Sequence, residues 1–232
     1  MFYYYGIDWT YAVFVLPAVI FALIAQFKVN STFEKYSKKS TRSGITGYDS
    51  ARMILDRNGL HDIRVERISG KLTDHYDPKA RVIRLSDSTY SSNSAAAVGV
   101  AAHEAGHAVQ HSENYAPMQI RSAIIPVTNF GSMLTFPLIL LGLLLSFQPL
   151  VTLGILAFAL STVFQLITLP VEFNASKRAM AALKDSGRMD SAELGASRKV
   201  LTAAAMTYVA ALAVSLMQLL RLILLSQRNS RD

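Results

Sequence analysis

Two histidines and a glutamate stand in the run His103-Glu104-Ala105-Gly106-His107, an HExxH pattern within a stretch of strong helix formers. On a helix, residues four apart share one face, so both imidazoles can reach a single metal ion. Glu104 lies beside that face, where it can take a proton from water activated by the metal. A third ligand must come from elsewhere, and two residues compete. His111 continues the i, i+4 series but lies about 12 Å along the helix axis from His103. Zinc–nitrogen bonds are only about 2.0–2.1 Å, so His111 reads as a structural or surface histidine. Glu172, in Leu169-Pro170-Val171-Glu172-Phe173-Asn174-Ala175-Ser176, follows a long apolar run. An unpaired carboxylate so close to hydrocarbon is costly. A zinc ion would satisfy it; so would reaching out into the membrane interface. We take Glu172 as the third ligand.

These residues need elements to hold them. Asn93 or Ser94 can cap a helix that starts at Ala95 and carries the motif. Gly106 weakens that helix by roughly 1 kcal/mol relative to Ala, and its small size suits close approach of another element. Upstream, 49–58 reads as a helix with Ala51, Ile54 and Leu55 on one face and Asn58-Gly59 ending it. Residues 63–68 alternate apolar and charged like a half-buried strand, 70–78 reads as loop, and 82–85 as a second short strand. A strand just before the metal helix is where a peptide backbone could be held by strand addition, so 82–85 is expected to be an edge strand.

The bulk of the chain is apolar. Of 232 residues, 51% are hydrophobic and only 17% charged, more apolar than an average soluble domain. Fifty consecutive uncharged residues separate Arg121 from Glu172, broken mainly at Gln148-Pro149. That is room for a hairpin crossing a bilayer twice, at roughly 20 residues per crossing. Trp9–Phe27 and Val200–Leu220 are further uncharged runs. The expected fold is a mainly α membrane protein with about four transmembrane helices and a small α+β, zincin-like cytoplasmic domain. Its segments are a membrane anchor at 1–28, the HExxH region at 29–122 and the hairpin at 123–169. A cytoplasmic helix with the third ligand follows at 170–199, then a last membrane helix and tail at 200–232.

Charge sets the orientation. Lys28, Lys35, Lys38, Lys39 and Arg42 follow the first run, and Lys177, Arg178, Lys184, Arg188, Arg198 and Lys199 follow the hairpin, whose tip carries no charge. Positive flanks mark the cytoplasmic side. Arg228 and Arg231 run against this, so the last helix could instead lie on the surface or re-enter. Tyr3, Tyr4, Tyr5, Trp9 and Tyr11 suit the outer interface. A single charge, Asp8, precedes the first run and no small-residue cleavage site ends it, so it reads as an uncleaved anchor. The net charge of +7 is explained by basic residues flanking apolar runs, where they face anionic headgroups, and nucleic acid is not expected as a partner. The absence of cysteine excludes thiolate ligands.

On His103–Ala108 (HEAGHA), Leu169–Ser176 (LPVEFNAS), Asp74–Pro78 (DHYDP), the anchor and the hairpin, the chain resembles the YugP-like family of neutral zinc metallopeptidases. More distantly it is similar to HtpX-type membrane peptidases, which also place a hydrophobic hairpin between HExxH and a ligand glutamate. In that group an aspartate follows the alanine; here Ser176 follows Ala175, leaving a weaker hydrogen-bonding group beside a histidine. The resemblance implies Zn2+ held by His103, His107 and Glu172, with Glu104 as catalytic base, in a gluzincin-type endopeptidase. It also implies a bacterial membrane and protein or peptide substrates; the charge flanks place the site on the cytoplasmic side. An oxyanion donor is left open among Asn174, Arg178 and His75. A zinc-holding membrane scaffold without catalysis is the alternative, and Glu104 discriminates because a structural site has no use for it.

Overall fold

A computed structural model describes residues 9–229. Tyr3, Tyr4, Tyr5, Asp8 and Arg231, and the side chain of Arg228, lie outside what is described. The protein is mostly helical. A short π-helical turn, Tyr11–Val15, leads into α1 (Leu16–Ser37), followed by α2 (Gly47–Arg57), β1 (Arg64–Ile68), β2 (His75–Asp77) and β3 (Val82–Ser86). Four more helices follow among the described residues: α3 (Ala95–Ser112), α4 (Ala116–Leu144), α5 (Gln148–Asp185) and α6 (Ser191–Asn229). Contacts divide the described residues into two compact units, residues 26–119 with 170–206, and residues 9–25, 120–169 and 207–229.

The second of these is apolar and helical. Among the described residues, four helices are long and apolar enough to cross a membrane: 11–37, 116–144, 148–185 and 191–227. At most 22% of any of their apolar windows is buried inside the protein, so large side chains such as Leu23, Phe130, Met133, Phe136 and Leu144 face outward. A lipid solvent accounts for such faces; water does not. Within this unit α4 and α5 approach through glycine. A Cβ on Gly154 would fall 2.6 Å from Ile139, and one on Gly142 2.7 Å from Val151, the close packing that small residues allow between membrane helices. Hydroxyl pairs Thr162–Ser215 and Ser132–Ser161, each 2.7 Å apart, satisfy polar groups there. Pro126 and Pro137 lie inside α4.

The other unit holds a three-stranded sheet of order β1-β3-β2 packed with α2, α3 and parts of α5 and α6. β1 runs parallel to β3, with Arg64 opposite Val82, and β2 antiparallel, with Tyr76 opposite Ile83. Val82, Ile83 and Leu85 are fully buried. The sheet corrects two expectations. Residues 75–77 form a strand inside the stretch read as loop, because three residues are too few to display alternation and Asp is poor in strands. β3 is then the central strand rather than an edge, and the edge nearest α3 is β2. Asp74 and Asp77 staple this region: Asp74 accepts from the Ser86 N–H and hydroxyl, and Asp77 from Lys79, Ala80 and Arg84. The DHYDP run is thus explained by its turn.

Helix starts follow from local chemistry. Thr46 and Asp49 form a reciprocal capping box on α2, and Ser94 caps α3 by accepting from the Ala97 N–H at 3.2 Å. Asn93 uses its backbone carbonyl instead, accepting from Thr41. Fourteen of the 18 residues of α3 are buried, eleven of them Ala, Gly or Val, so it is the central helix of this unit and its neighbours come close.

Candidate metal site

α3 and α5 bring three side chains together. His103 Nε2 lies 3.2 Å, and His107 Nε2 3.4 Å, from Glu172 Oε2. Atoms on one zinc ion at about 2.0–2.2 Å in tetrahedral array are separated by roughly 3.3–3.5 Å, so both distances match edges of such a site. All three donor atoms lie within 4.8 Å of one another. The side chains of His103, His107 and Glu172 are only 14%, 11% and 3% exposed, and the two rings meet edge to face at 4.6 Å. The donor set and its spacing fit a zinc ion.

Close approach makes this possible. A Cβ on Gly106 would stand 2.7 Å from the Ala175 carbonyl oxygen, so only glycine lets α5 come near enough for Glu172 to meet the histidines. Gly99 serves similarly against α6, where a Cβ would reach Ser197 at 3.0 Å. Ser197 in turn donates to the Ala95 carbonyl, and Ser50 to that of Val98.

The outer nitrogens of both histidines are held as well. Ser176 Oγ lies 3.1 Å from His103 Nδ1, the contact envisaged for the residue after Ala175. Gln110 Oε1 lies 3.0 Å from His107 Nδ1. The orientation of Gln110 is dictated by its neighbours. Arg178 can only donate, and its Nε reaches Asn174 Oδ1 at 2.7 Å, which turns that oxygen toward Gln110 Nε2 at 2.9 Å. The Val171 carbonyl accepts from the same Nε2 at 2.8 Å. Gln110 must therefore present its oxygen to His107, so Nδ1 carries the hydrogen and Nε2 keeps its lone pair for a metal. Burial disfavours a charged His107, yet the bond to Glu172 and the charges of Glu172 and Glu104 outweigh it and raise its pKa.

Glu104 is 9% exposed, and among the described residues no hydrogen bond engages its carboxylate. His111 stands apart from the cluster: its Nδ1 lies 2.9 Å from the Tyr76 hydroxyl, tying the end of α3 to β2. Asn174 and Arg178 belong to the chain behind His107, with Arg178 also 2.7 Å from Glu113. His75 Nδ1 lies 2.9 Å from the Thr73 carbonyl. Gln110 is the residue that sequence reasoning missed. The signal was a lone amide three residues after His107, on a helix whose other residues outside the motif are mostly small and apolar. Gln110→Leu is expected to weaken zinc binding by about 10–100-fold while the fold persists; competition with a chelating dye measures it, and unchanged affinity would deny Gln110 its orienting role.

Two histidines and a carboxylate poised for one metal, in a chain with four membrane-length apolar helices, define a candidate membrane metalloenzyme. The chain belongs to the family described as "Putative neutral zinc metallopeptidase", whose sequence profile matches residues 11–227. It is similar to "Putative membrane protease YugP" of Bacillus subtilis (strain 168), 52% identical over 208 residues that cover 90% of this chain and 92% of that protein. No solved structure matches the chain.

Proposed function

We propose that the protein is a zinc-dependent endopeptidase of the HExxH-plus-glutamate (gluzincin) type, acting on protein or peptide segments at the cytoplasmic face of a bacterial membrane. The observation that carries the catalytic reading is Glu104: a nearly buried carboxylate next in sequence to the ligand candidate His103, with no hydrogen bond to occupy it among the described residues. A structural metal site has no need of such a group. His103, His107 and Glu172 would hold the ion. Zinc supplies Lewis acidity, acidifying water and polarising the scissile carbonyl. Glu104 accepts the proton as the water attacks and delivers it to the departing amine, so that the peptide C–N bond breaks with the carboxylate restored. Ser176 and Gln110 hold the two imidazoles in place. The outer edge of β2 has no strand partner among the described residues, and an extended substrate can pair there. Glu172 follows the uncharged run by one position, and the basic residues beyond it support a site at the cytoplasmic surface.

The test is cleavage of an unstructured protein such as casein by the detergent-purified full chain. Cleavage should stop on chelation and return with one equivalent of zinc. A zinc-loaded protein that cuts neither casein nor unfolded membrane proteins would favour a scaffold instead.

A further inference from the structure

Between α5 and α6, within the unit that holds the metal site, runs a groove of about 370 Å³. Its walls include Phe173, Met180, Leu201 and Ala205, and Phe173 is 47% exposed. Lys177, Lys184 and Arg198 also line it, and no carboxylate does. All three cations are exposed, and none has an ion pair or hydrogen bond among the described residues. Unpaired positive charge along an apolar trough is the complement of an anionic amphiphile. A free phosphate would have no use for the apolar wall, and a neutral lipid none for the cations.

The helices themselves indicate the source. Phe173 lies three residues beyond Pro170 in α5, where the uncharged run is ending, and Ala205 lies inside the uncharged run of α6. The apolar end of the groove is therefore covalently next to the segments proposed to enter the bilayer. Lys184 is eleven residues from Phe173, roughly 16 Å along the helix. We propose that this groove binds one anionic phospholipid of the surrounding membrane. Its phosphate sits among Lys177, Lys184 and Arg198, and the start of one acyl chain lies along Phe173 and Leu201. Ser176 lines the same groove and reaches His103 with its hydroxyl, so the lipid lies one side chain away from the candidate metal site. The proposal stands independently of the peptidase reading, because its test measures binding alone.

Native mass spectrometry of the full chain in neutral detergent, titrated with phosphatidylglycerol and with phosphatidylcholine of the same chains, is the experiment. Phosphatidylglycerol should bind saturably at one per chain and more tightly. Each cation at an anionic lipid surface is worth about 1 kcal/mol, roughly fivefold in binding. The variant Lys177→Gln/Lys184→Gln/Arg198→Gln should therefore lose about a hundredfold. Thr202→Trp, which fills the groove and keeps every charge, should weaken binding too, whereas Lys35→Gln/Lys38→Gln/Lys39→Gln should not. Equal losses in both triple variants would mean diffuse attraction and overturn the site. So would an unaffected Thr202→Trp, displacement of the lipid by inorganic phosphate, or preferential binding of a polyglutamate peptide, which would make the groove a protein-docking surface.

Discussion

Glu104→Gln is expected to keep its zinc and lose about 10²–10⁴-fold in kcat, the weight of a positioned general base, or about 3–5 kcal/mol of barrier. The amide has the shape of the carboxylate and cannot accept a proton at neutral pH. Glu104 lies outside the group of three donors that can share one ion, so the metal should be indifferent to the change. Elemental analysis and casein cleavage on the same preparation separate the outcomes. Zinc lost together with activity would make Glu104 a ligand. Activity retained with zinc in place would move the base elsewhere and remove the main support for the proposed mechanism. The loss should fall on kcat rather than KM, since proton transfer is needed only as the transition state forms.

Glu172→Ala is expected to strip the site of metal. Its carboxylate is nearly buried and lies within 3.4 Å of both imidazoles. Removing one partner from a buried charge pair costs about 3–5 kcal/mol, which corresponds to roughly 10²–10⁴-fold in zinc affinity. Two histidines alone leave half of a tetrahedral site unfilled. His111→Ala is the matching control. His111 pairs with Tyr76, so its loss should leave zinc untouched and loosen only the contact of α3 with β2. Stoichiometric zinc at wild-type affinity in Glu172→Ala, or loss of zinc in His111→Ala, would overturn the ligand assignment. The contrast with Gln110→Leu is also informative: a residue that orients a ligand should cost less than the ligand.

Much of the candidate site was legible because its pieces are local. HExxH on a helix places two histidines on one face by periodicity alone, and a small residue at position 106 announced a close neighbour. The Ser94 cap, α2 and two of the three strands follow from nearest-neighbour chemistry. The apolar helices are visible because a bilayer demands about 20 residues of one character without interruption, a signal that no folding detail can disguise. The family resemblance carried the choice of Glu172 further than charge arguments could.

What the tertiary structure alone decided was set by contacts between distant segments. Sixty-four residues separate His107 from Glu172, and their 3.4 Å meeting depends on α5 seating its Ala175 carbonyl against Gly106. The role of Gln110 depends on Arg178 and Asn174 turning their groups toward it, which no one-dimensional pattern encodes. The sheet order is of the same kind. Period-two alternation marks a strand but says nothing about its neighbours, and only pairing with the three-residue β2 shows that β3 lies inside the sheet. Sequence determines which groups a segment can offer; packing over long separations determines which groups they meet.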